Sequence, residues 1–295
     1  MFEPNEWFTE VVEDEGSAFS LKVTEKLHEE QTPYQLIEVY ATAGFGNLMV
    51  IDGFVMLTSR DNFLYHEMMS HPALFTHPNP RRVCIIGGGD CGTLREVLKH
   101  DGVASVVQID IDEGVTLAAE CFFPELTASN EDPRARLLFE DGIRWIQEAP
   151  PGSLDLIIVD STDPVGPAVG LFTADFYADC ARALDQGGIL VQQSESPLYH
   201  MHILTDMHIA MRAAGFGDTR SLFFPQAVYP SGWMTATLAG KGDSALDAVR
   251  VADVRAKSFD TQYYNAEIHQ AALAQPEFFR RALTAALQTV RTAGA

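Results

Sequence analysis

A glycine-rich turn between a buried strand and a helix constrains the fold of this chain more than any other feature. Gly87, Gly89 and Gly92 form a G-x-G-x-x-G pattern. The apolar run 83–86 precedes it, and a run of strong helix formers follows. Such a strand–turn–helix unit is typical of Rossmann-type folds that bind a nucleotide-like ligand. Asp110 ends the next predicted strand about twenty residues on, where an acid can bind ribose hydroxyls. The pattern by itself fits NAD, FAD or S-adenosyl ligands equally well.

From Arg81 onward, short apolar runs alternate with helix-forming stretches. This alternation predicts a doubly wound parallel sheet with helices on both faces. The predicted parallel strands are 83–86, 106–110, 136–139, 154–159 and 188–192. An antiparallel hairpin at one edge of the sheet is predicted from two further strands, at 218–224 and 233–239. The clearest helices are predicted at 63–71, 93–99, 201–214 and 276–291.

Residues 1–62 have a different pattern, in which polar and apolar side chains alternate along short strands. The alternation is clearest at 18–23 and 34–40, and Asp52-Gly53 marks a turn between two more strands. We therefore expect an α/β protein with a small N-terminal antiparallel β-sheet domain at 1–62. A Rossmann-like catalytic domain is expected at 63–295.

The composition excludes several classes of partner. The formal net charge is −21, from 20 Lys and Arg against 41 Asp and Glu residues. Nucleic acids and anionic membranes attract basic patches, so we expect neither as a partner. The N-terminal stretch lacks the features of a signal peptide, and no apolar run reaches the ~18 residues of a membrane span. The four cysteines form no C-x-x-C pair. These features predict a reduced, cytoplasmic protein without a structural metal.

An acidic loop follows the apolar strand 154–159. It reads Asp160-Ser161-Thr162-Asp163 and places two carboxylates at the carboxyl end of a buried strand. Ligands of open α/β sheets bind at this end, and two acids there suit a cationic substrate. Asp90, in the glycine-rich turn, adds a third carboxylate. Each acid also has a structural alternative, because Asp is common in turns and at helix caps.

Ordered motifs along nearly the whole chain add a family resemblance. They are Leu57-Thr58-Ser59-Arg60-Asp61, Tyr65-His66-Glu67-Met68, Gly87-Gly88-Gly89-Asp90, Leu94-Arg95-Glu96-Val97-Leu98-Lys99-His100, Asp141-Gly142, Asp160-Ser161-Thr162-Asp163-Pro164-Val165-Gly166-Pro167, Gln193-Ser194-Glu195-Ser196-Pro197, Tyr229-Pro230-Ser231-Gly232 and Tyr263-Tyr264-Asn265. With these motifs the chain resembles the polyamine aminopropyltransferases and is most similar to the spermidine synthases. The resemblance implies an N-terminal β-sheet domain followed by a methyltransferase-like Rossmann domain.

The resemblance also implies a reaction. An aminopropyl group passes from decarboxylated S-adenosylmethionine to putrescine, and the products are spermidine and methylthioadenosine. The nucleoside is a co-substrate, no metal or redox cofactor takes part, and a homodimer or homotetramer is expected. The accepting amine, with a pKa of about 10.4 like that of lysine, is an ammonium ion at neutral pH. The site must therefore hold a cation and remove its proton, and a carboxylate can do both.

The family's functional residues match positions of this chain. The resemblance makes Asp160 the proton acceptor, with Tyr65 and Tyr229 as catalytic helpers. The residues expected to bind the donor nucleoside are Gln35, His66, Gly87, Gly89, Asp90, Asp110, Asp141, Gly142 and Pro167. The residues expected to bind the acceptor amine are Tyr65, His66, Asp90, Asp160, Ser161, Thr162, Asp163 and Tyr229.

Within the donor set, each acid has its own expected partner. Asp90, with Gln35 and His66 beside it, should bind the ammonium group of the donor. Its charge should also repel the carboxylate of intact S-adenosylmethionine. Asp110 is expected at the ribose and Asp141 at the adenine edge.

The chain departs from the family pattern at four places that bear on the site, one of which is Cys91, where a small Gly is usual in the donor loop. Asp110 stands where Glu is usual, so either the backbone shifts or Asp112 reaches the ribose. The segment 225–229 replaces the usual Pro-Thr-Tyr run before Tyr229, and Asn62 stands where an acid is common. The resemblance therefore implies the type of reaction more strongly than it implies the identity of the acceptor amine. Cadaverine, agmatine and spermidine are alternatives to putrescine.

Three other functions share parts of the pattern. An S-adenosylmethionine-dependent methyltransferase would also use the glycine-rich turn, Asp110 and Asp141, but it gives no reason for acids at both Asp90 and Asp163. An NAD-dependent dehydrogenase is supported only by the glycine motif. A polyamine-binding protein without turnover would require a broken proton acceptor, whereas Asp160 is present.

Overall fold

The chain begins with an antiparallel sheet. The computed structural model describes residues 6–162, 166–242 and 245–293. The five strands of this sheet pair in chain order and are β1 (Trp7–Val12), β2 (Ser17–Gln31), β3 (Leu36–Thr42), β4 (Asn47–Ile51) and β5 (Phe54–Thr58). The predicted N-terminal antiparallel sheet is confirmed.

Two strands of this sheet differ from the sequence-based expectation. The alternation does not predict β1, and β2 continues to Gln31, well beyond 18–23. The pairing of β2 with β3 is interrupted by irregularities between Val23 and Glu25 and between Lys26 and His28. A bulge shifts the side-chain alternation by one residue, so the long strand has no constant period of two.

The second sheet has seven strands and lies in the rest of the chain. The strands are β6 (Arg82–Gly87), β7 (Ser105–Asp110), β8 (Ala135–Phe139), β9 (Leu154–Asp160), β10 (Leu184–Gln193), β11 (Asp218–Pro225) and β12 (Trp233–Gly240). Their spatial order is β11-β12-β10-β9-β6-β7-β8. The strands from β10 to β8 are parallel, as expected of a doubly wound sheet. In the predicted hairpin only β11 is an edge strand, because β12 also pairs with β10.

Helices cover both faces of this sheet. They are α1 (Asn62–Thr76), α2 (Gly92–Leu98), α3 (Glu113–Phe122), α4 (Pro124–Thr127), α5 (Gly142–Glu148), α6 (Ala174–Ala183), α7 (Met201–Ala213), α8 (Val251–Ala256), α9 (Ala266–Ala272) and α10 (Glu277–Ala293). The core on one face contains side chains of α1, α2, α8 and α9, and the core on the other contains side chains of α5, α6 and α7. Among the described residues, no helix is both long enough and apolar enough to cross a membrane.

The first helix carries several predicted site residues and is longer than its predicted extent of 63–71. It continues through Pro72 to Thr76, whose hydroxyl donates to the carbonyl of Pro72 at 2.7 Å. Nearly every residue of α1 is buried. A proline lacks the backbone N–H that continues a helix, so tertiary packing is what sustains the last turn.

The two sheets meet through a third core. Apolar side chains of β3, β4 and β5 pack against α3 and the segment that follows it, with Ile37, Met49 and Phe123 fully buried at the contact. This packing brings the N-terminal sheet to the carboxyl ends of the parallel strands. The chain leaves β6 toward β7 on one side and later returns through β9 on the other, so a crevice opens at this end.

Candidate active site

A cavity of about 430 Å³ occupies the crevice at the carboxyl ends of the parallel strands. Its walls come from the ends of β6, β7, β9 and β10, from the start of α1 and from the N-terminal sheet. The predicted residues that line it are Gln35, Tyr65, His66, Gly87, Gly89, Asp90, Asp110, Asp141, Gly142, Asp160, Ser161, Thr162 and Tyr229. Asp163 lies outside the described residues. Pro167 belongs to the short 3-10 helix Gly166–Phe172, which reaches the cavity through Gly166, Ala168 and Leu171.

The glycine-rich turn is pressed against the end of β9. Gly87 pairs with Asp160 across the sheet, and a Cβ on Gly87 would lie 2.1 Å from the Asp160 carbonyl oxygen. Gly87 and Gly88 have φ angles of 79° and 68°, and the Gly88 N–H donates to the same carbonyl at 2.7 Å. Only glycine tolerates this combination of positive φ and close approach. The turn thereby brings the Asp90 loop beside Asp160.

Asp160 is a buried carboxylate whose partners are neutral hydroxyl groups. It is 8% exposed, its Oδ1 accepts from the Tyr65 hydroxyl at 2.7 Å, and its Oδ2 accepts from Thr93 Oγ1 at 2.5 Å. Burial and, secondarily, the nearby Asp90 charge raise the pKa of Asp160. Burial and the Asp160 charge raise the pKa of Tyr65 well above its ordinary value, so Tyr65 remains a donor. No sequence motif pointed to Thr93.

Asp90 has a cationic partner instead. His66 Nε2 lies 3.2 Å from Asp90 Oδ1, which also accepts from the Gly92 N–H at 2.6 Å. Burial alone would raise the pKa of Asp90, but the His66 charge and hydrogen bond outweigh it and the pKa is lowered. Burial alone would lower the pKa of His66, but the negative charge of Asp90 and the hydrogen bond to it raise this pKa. The Asp90 carboxylate therefore accepts a hydrogen bond from the turn backbone and also stays negatively charged.

The absence of a side chain at Gly92 lets His66 reach this position. A Cβ on Gly92 would lie 2.2 Å from His66 Cε1. The third glycine of the motif therefore accommodates the imidazole beside Asp90, in addition to starting α2. His66 therefore lies next to Asp90 in the cavity.

Gln35 is hydrogen-bonded to Asp112, the acid that follows β7. Its side-chain amide donates to Asp112 Oδ2 at 2.9 Å, and Thr32 Oγ1 donates to the same oxygen at 2.7 Å. Asp112 Oδ1 accepts from the Gly114 N–H and caps α3. Asp112 thus accepts from the protein's own donors, and of the two acids it is Asp110 that lines the cavity. Gln35 still lines the cavity.

Asp110 is the acid of this pair that faces the cavity. Its Oδ1 accepts from the Asp112 N–H at 2.9 Å. Burial, with smaller contributions from the Asp112 and Asp90 charges, raises the pKa of Asp110 to about 6. A Cβ on Gly89 would lie 2.9 Å from Asp110 Oδ2, so the glycine leaves room for this carboxylate. A buried acid with a raised pKa suits hydrogen bonding to neutral hydroxyl groups.

Asp141 and Gly142 lie at the β8 end of the cavity. Asp141 Oδ1 accepts from the N–H groups of Ile143 and Arg144 at 2.8 and 3.3 Å and caps α5. This local role accounts for an acid at the position. A Cβ on Gly142 would lie 2.6 Å from Ile86 Cγ2, so the helix start packs closely on β6.

Tyr229 forms a wall of the cavity between the two sheets. Its hydroxyl donates to the Met56 carbonyl oxygen at 2.9 Å, and its ring lies 6.2 Å from that of Tyr65. Its hydroxyl hydrogen is directed at the N-terminal sheet, whereas that of Tyr65 is directed at Asp160. The two tyrosines therefore have different geometry, although the sequence suggested one shared role.

Several polar residues of the cavity had no assigned role in the sequence. They are Glu10, Gln193, Glu195, His200 and Gln226. Glu10 accepts from the Val55 N–H at 2.7 Å, and burial raises its pKa to about 6 although this bond opposes the shift. Glu10 was missed because its strand, β1, is not predicted. Gln193 and Glu195 lie in a motif that carried the resemblance, which was the one signal for them.

Comparisons with known proteins match this architecture. The Spermine/spermidine synthase domain matches residues 62–248, and the Spermidine synthase tetramerisation domain matches residues 6–59. The chain belongs to the spermine/spermidine synthase family. It is 63% identical over 283 residues to a polyamine aminopropyltransferase of Methylococcus capsulatus, which covers 96% of this chain and 99% of the relative. It is 64% identical over 280 residues to one of Thioalkalivibrio sulfidiphilus, covering 95% and 98%.

Solved structures agree with the family membership. A spermidine synthase in complex with the transition-state analogue AdoDATO superposes with a TM-score of 0.91 at 33% identity and covers 96% of this chain and 97% of that one. Spermidine synthase from Thermotoga maritima gives a TM-score of 0.90 at 33% identity, with 96% of each chain covered. The protein is thus an aminopropyltransferase-family enzyme, and the predicted fold class is confirmed.

Proposed function

We propose that this enzyme is a spermidine synthase, which transfers the aminopropyl group of decarboxylated S-adenosylmethionine to putrescine. The observation that carries the proposal is a pair of carboxylates in one cavity, the buried Asp160 and the partly buried Asp90. Two separated acids suit a reaction in which two amino groups, one on each substrate, must be bound. A methyltransferase must bind the ammonium group of its donor, but it gives no reason for acids at both positions.

The order of acids along the strand ends supports a direction for the donor. Asp141 follows β8, Asp110 ends β7, Asp90 follows β6 and Asp160 ends β9, and these strands are neighbours in that order. The proposed donor lies across them with adenine near Asp141, ribose at Asp110 and the aminopropyl ammonium at Asp90. The reacting methylene is then carried toward Asp160.

Proton removal is the proposed role of Asp160. Asp160 takes a proton from the acceptor ammonium group, and the lone pair that this frees on nitrogen attacks the methylene carbon bonded to the sulfonium. The carbon–sulfur bond breaks with its electron pair on sulfur, so methylthioadenosine leaves neutral and the new secondary amine carries the positive charge. The raised pKa of Asp160 makes it a stronger base than an ordinary aspartate, and Tyr65 and Thr93 hold the carboxylate in place. Positioning of the amine in line with the carbon–sulfur bond supplies the remaining catalysis.

Selection of the decarboxylated donor is the proposed role of Asp90. Its pKa is lowered, so it is charged at neutral pH and attracts an ammonium group. Intact S-adenosylmethionine carries an additional carboxylate near that group. A fixed negative charge repels this carboxylate, which discriminates against the commoner nucleoside.

The acceptor is proposed to extend from Asp160 away from the donor. Ser161 and Thr162 follow Asp160 there, and Tyr65 and Tyr229 form the wall. Asp163 is the predicted acid for the second ammonium group. Glu10 and Glu195 also line the cavity, so a diamine meets carboxylates beyond Asp160. Putrescine is the proposed acceptor, and cadaverine, agmatine and spermidine are the alternatives.

Assembly and location complete the proposal. The match of residues 6–59 to a tetramerisation domain supports a homotetramer, with a homodimer as the alternative. We place the domain boundary at 62/63, at the start of α1. The four cysteines are free thiols, which supports a reducing, cytoplasmic compartment.

One incubation tests the proposed reaction. The enzyme is mixed with putrescine and either decarboxylated or intact S-adenosylmethionine, and the nucleoside products are separated by chromatography. Methylthioadenosine together with spermidine, from the decarboxylated donor alone, is the expected result. S-adenosylhomocysteine would indicate a methyltransferase, and methylthioadenosine formed only with another amine would replace putrescine as the acceptor.

A further inference from the structure

A continuous chain of buried hydroxyl groups runs beneath the β10 end of the cavity. His208 Nε2 lies 2.8 Å from Ser221 Oγ, which contacts Thr237 Oγ1 at 3.3 Å. Thr237 donates to Ser194 Oγ at 2.9 Å, and Ser194 Oγ lies 3.0 Å from Thr235 Oγ1. All five side chains are fully buried. A buried polar side chain is costly unless it has a hydrogen-bond partner. Each hydroxyl group of this chain has one, and we therefore ask what the chain positions.

The chain ends on the backbone of Glu195. Thr235 Oγ1 donates to the carbonyl oxygens of Ser194 and Glu195, both at 2.8 Å. The Thr235 N–H also donates to the Glu195 carbonyl, at 3.0 Å. Glu195 has a φ of 67°, a left-handed conformation that a residue with a side chain adopts only when its surroundings impose it. The hydroxyl of Thr235 is therefore placed to hold this strained residue.

The strained conformation keeps the Glu195 carboxylate at the cavity. Glu195 is 3% exposed and is one of the residues that line the cavity. Its Oε2 lies 2.9 Å from His200 Nδ1. Its Oε1 is buried and has no hydrogen-bond partner among the described residues. A buried carboxylate oxygen without a donor is unfavourable, and an ammonium group of a ligand would satisfy it.

The position of Glu195 indicates which substrate supplies that ammonium group. Glu195 follows β10, which lies beside β9 on the side opposite to β6 and β7. The acids proposed for the donor, Asp90 and Asp110, are on β6 and β7, and Asp160 is between the two groups. Glu195 therefore lies on the acceptor side of the reacting atoms.

We propose that Glu195 binds the second ammonium group of the acceptor diamine in addition to the predicted Asp163, and that the Thr235–Ser194 hydroxyl pair is the positioning device that holds Glu195 for this task. The proposal rests on the proposed function, because it presumes a diamine acceptor that extends beyond Asp160. Hydroxyl groups suit the device because they add no charge that would compete with the ligand. Burial lowers the pKa of His208 to about 3, so the far end of the chain is neutral as well.

The test compares putrescine with butylamine, which lacks the second amino group. The variants are Glu195→Gln, Thr235→Val, Thr235→Ser and Ser221→Ala. In wild-type enzyme, kcat/KM should be higher for putrescine than for butylamine. We expect Glu195→Gln and Thr235→Val to reduce this ratio by roughly tenfold or more, mainly through a higher putrescine KM, because both disturb binding of the second ammonium. Thr235→Ser keeps the donating hydroxyl and should restore the ratio.

Ser221→Ala is the matched control within the same hydroxyl chain. It removes a hydroxyl far from Glu195, so it should lower Tm while it leaves the ratio unchanged. Methylthioadenosine binding, measured by calorimetry, should be within twofold of wild type in every variant that folds, since the donor side is untouched. If Thr235→Val does not fold, the putrescine-to-butylamine ratios of Glu195→Gln and Thr235→Ser still test the proposal.

Two results would overturn the proposal. One is an unchanged putrescine-to-butylamine ratio in Glu195→Gln. The other is an equal loss for both amines in Thr235→Val, which would reduce the hydroxyl pair to a structural role. Failure of the proposed function looks different, because wild-type enzyme would then not use putrescine at all. The same ratio is in that case measured with the preferred diamine and the monoamine of equal length.

Discussion

Asp90 and Asp160 line one cavity at the ends of neighbouring strands, yet their surroundings act on them in opposite ways. Asp90 faces an imidazole, and its pKa is lowered. Asp160 accepts from two neutral hydroxyl groups, and burial, reinforced by the Asp90 charge, raises its pKa although the His66 charge opposes the shift. The first acid is built to remain charged and the second to take up a proton. Two identical side chains thus acquire different chemistry from their neighbours, because burial decides the pKa unless a cation compensates it.

The largest expected effect tests the proton-accepting half of this comparison. Asp160→Asn keeps the shape of the side chain and removes the base, so turnover should fall by at least ~10²-fold. Methylthioadenosine should still bind, since Asp90 and Asp110 are intact. Steady-state kinetics and calorimetry measure the two quantities. Turnover close to that of wild type would show that another group accepts the proton.

The charge-holding half is tested at Asp90. Asp90→Asn should weaken binding of decarboxylated S-adenosylmethionine by ~1–3 kcal/mol, the scale of a lost charge-assisted hydrogen bond. Binding of intact S-adenosylmethionine should change less, or become tighter, because the repulsion of its carboxylate is relieved. Calorimetry with both nucleosides provides the comparison. Equal losses for the two ligands would contradict the selective role of the charge.

Asp110, a third acid of the cavity, extends the comparison to the stability of the folded protein. Its pKa is about 6 in the folded protein against 3.8 for an ordinary Asp, so folding disfavours the charged form. The cost is absent below pH 3.8, grows as the pH rises and is complete above about pH 6. Asp110→Asn should therefore stabilise the ligand-free enzyme by about 2 kcal/mol at pH 7 and by much less at pH 4.

Thermal unfolding between pH 4 and pH 8 measures this effect. Asp112→Asn is the matched control, because Asp112 accepts from Gly114, Thr32 and Gln35 and should lose stability on substitution. A stability difference between Asp110→Asn and wild type that does not depend on pH would refute the argument from burial.

The smallest effect separates the two tyrosines beside Asp160. Tyr229→Phe removes a hydrogen bond to the Met56 carbonyl and should cost ~1 kcal/mol of stability, with turnover changed only a few-fold. Tyr65→Phe removes a contact with Asp160 itself and should reduce turnover more. An equal loss of turnover in the two variants would show that Tyr229 takes part in proton removal as directly as Tyr65 does.

Local patterns predicted the strands of the second sheet well, and the reason is burial. The strand β9 is buried along its whole length, and such strands are largely apolar runs that end at glycine turns or at acids. In the N-terminal sheet, β1 and much of β2 are exposed on at least one face, so fewer residues are constrained to be apolar. The extension of α1 past Pro72 was unpredictable for a related reason, since its stability comes from contacts on every side.

The sequence by itself determined the sheet of parallel strands, the glycine turn and the carboxylates at the strand ends, because each depends on short-range rules of burial and turn geometry. Its motifs also carried the family resemblance. Tertiary structure alone decided which acid faces a cation and which faces hydroxyl groups, since His66 and Thr93 reach Asp90 and Asp160 from different helices. It likewise directed Gln35 to Asp112 and joined Thr235 to Glu195 across two strands. A pKa or an orientation depends on neighbours that are distant in the chain, and no local pattern encodes them.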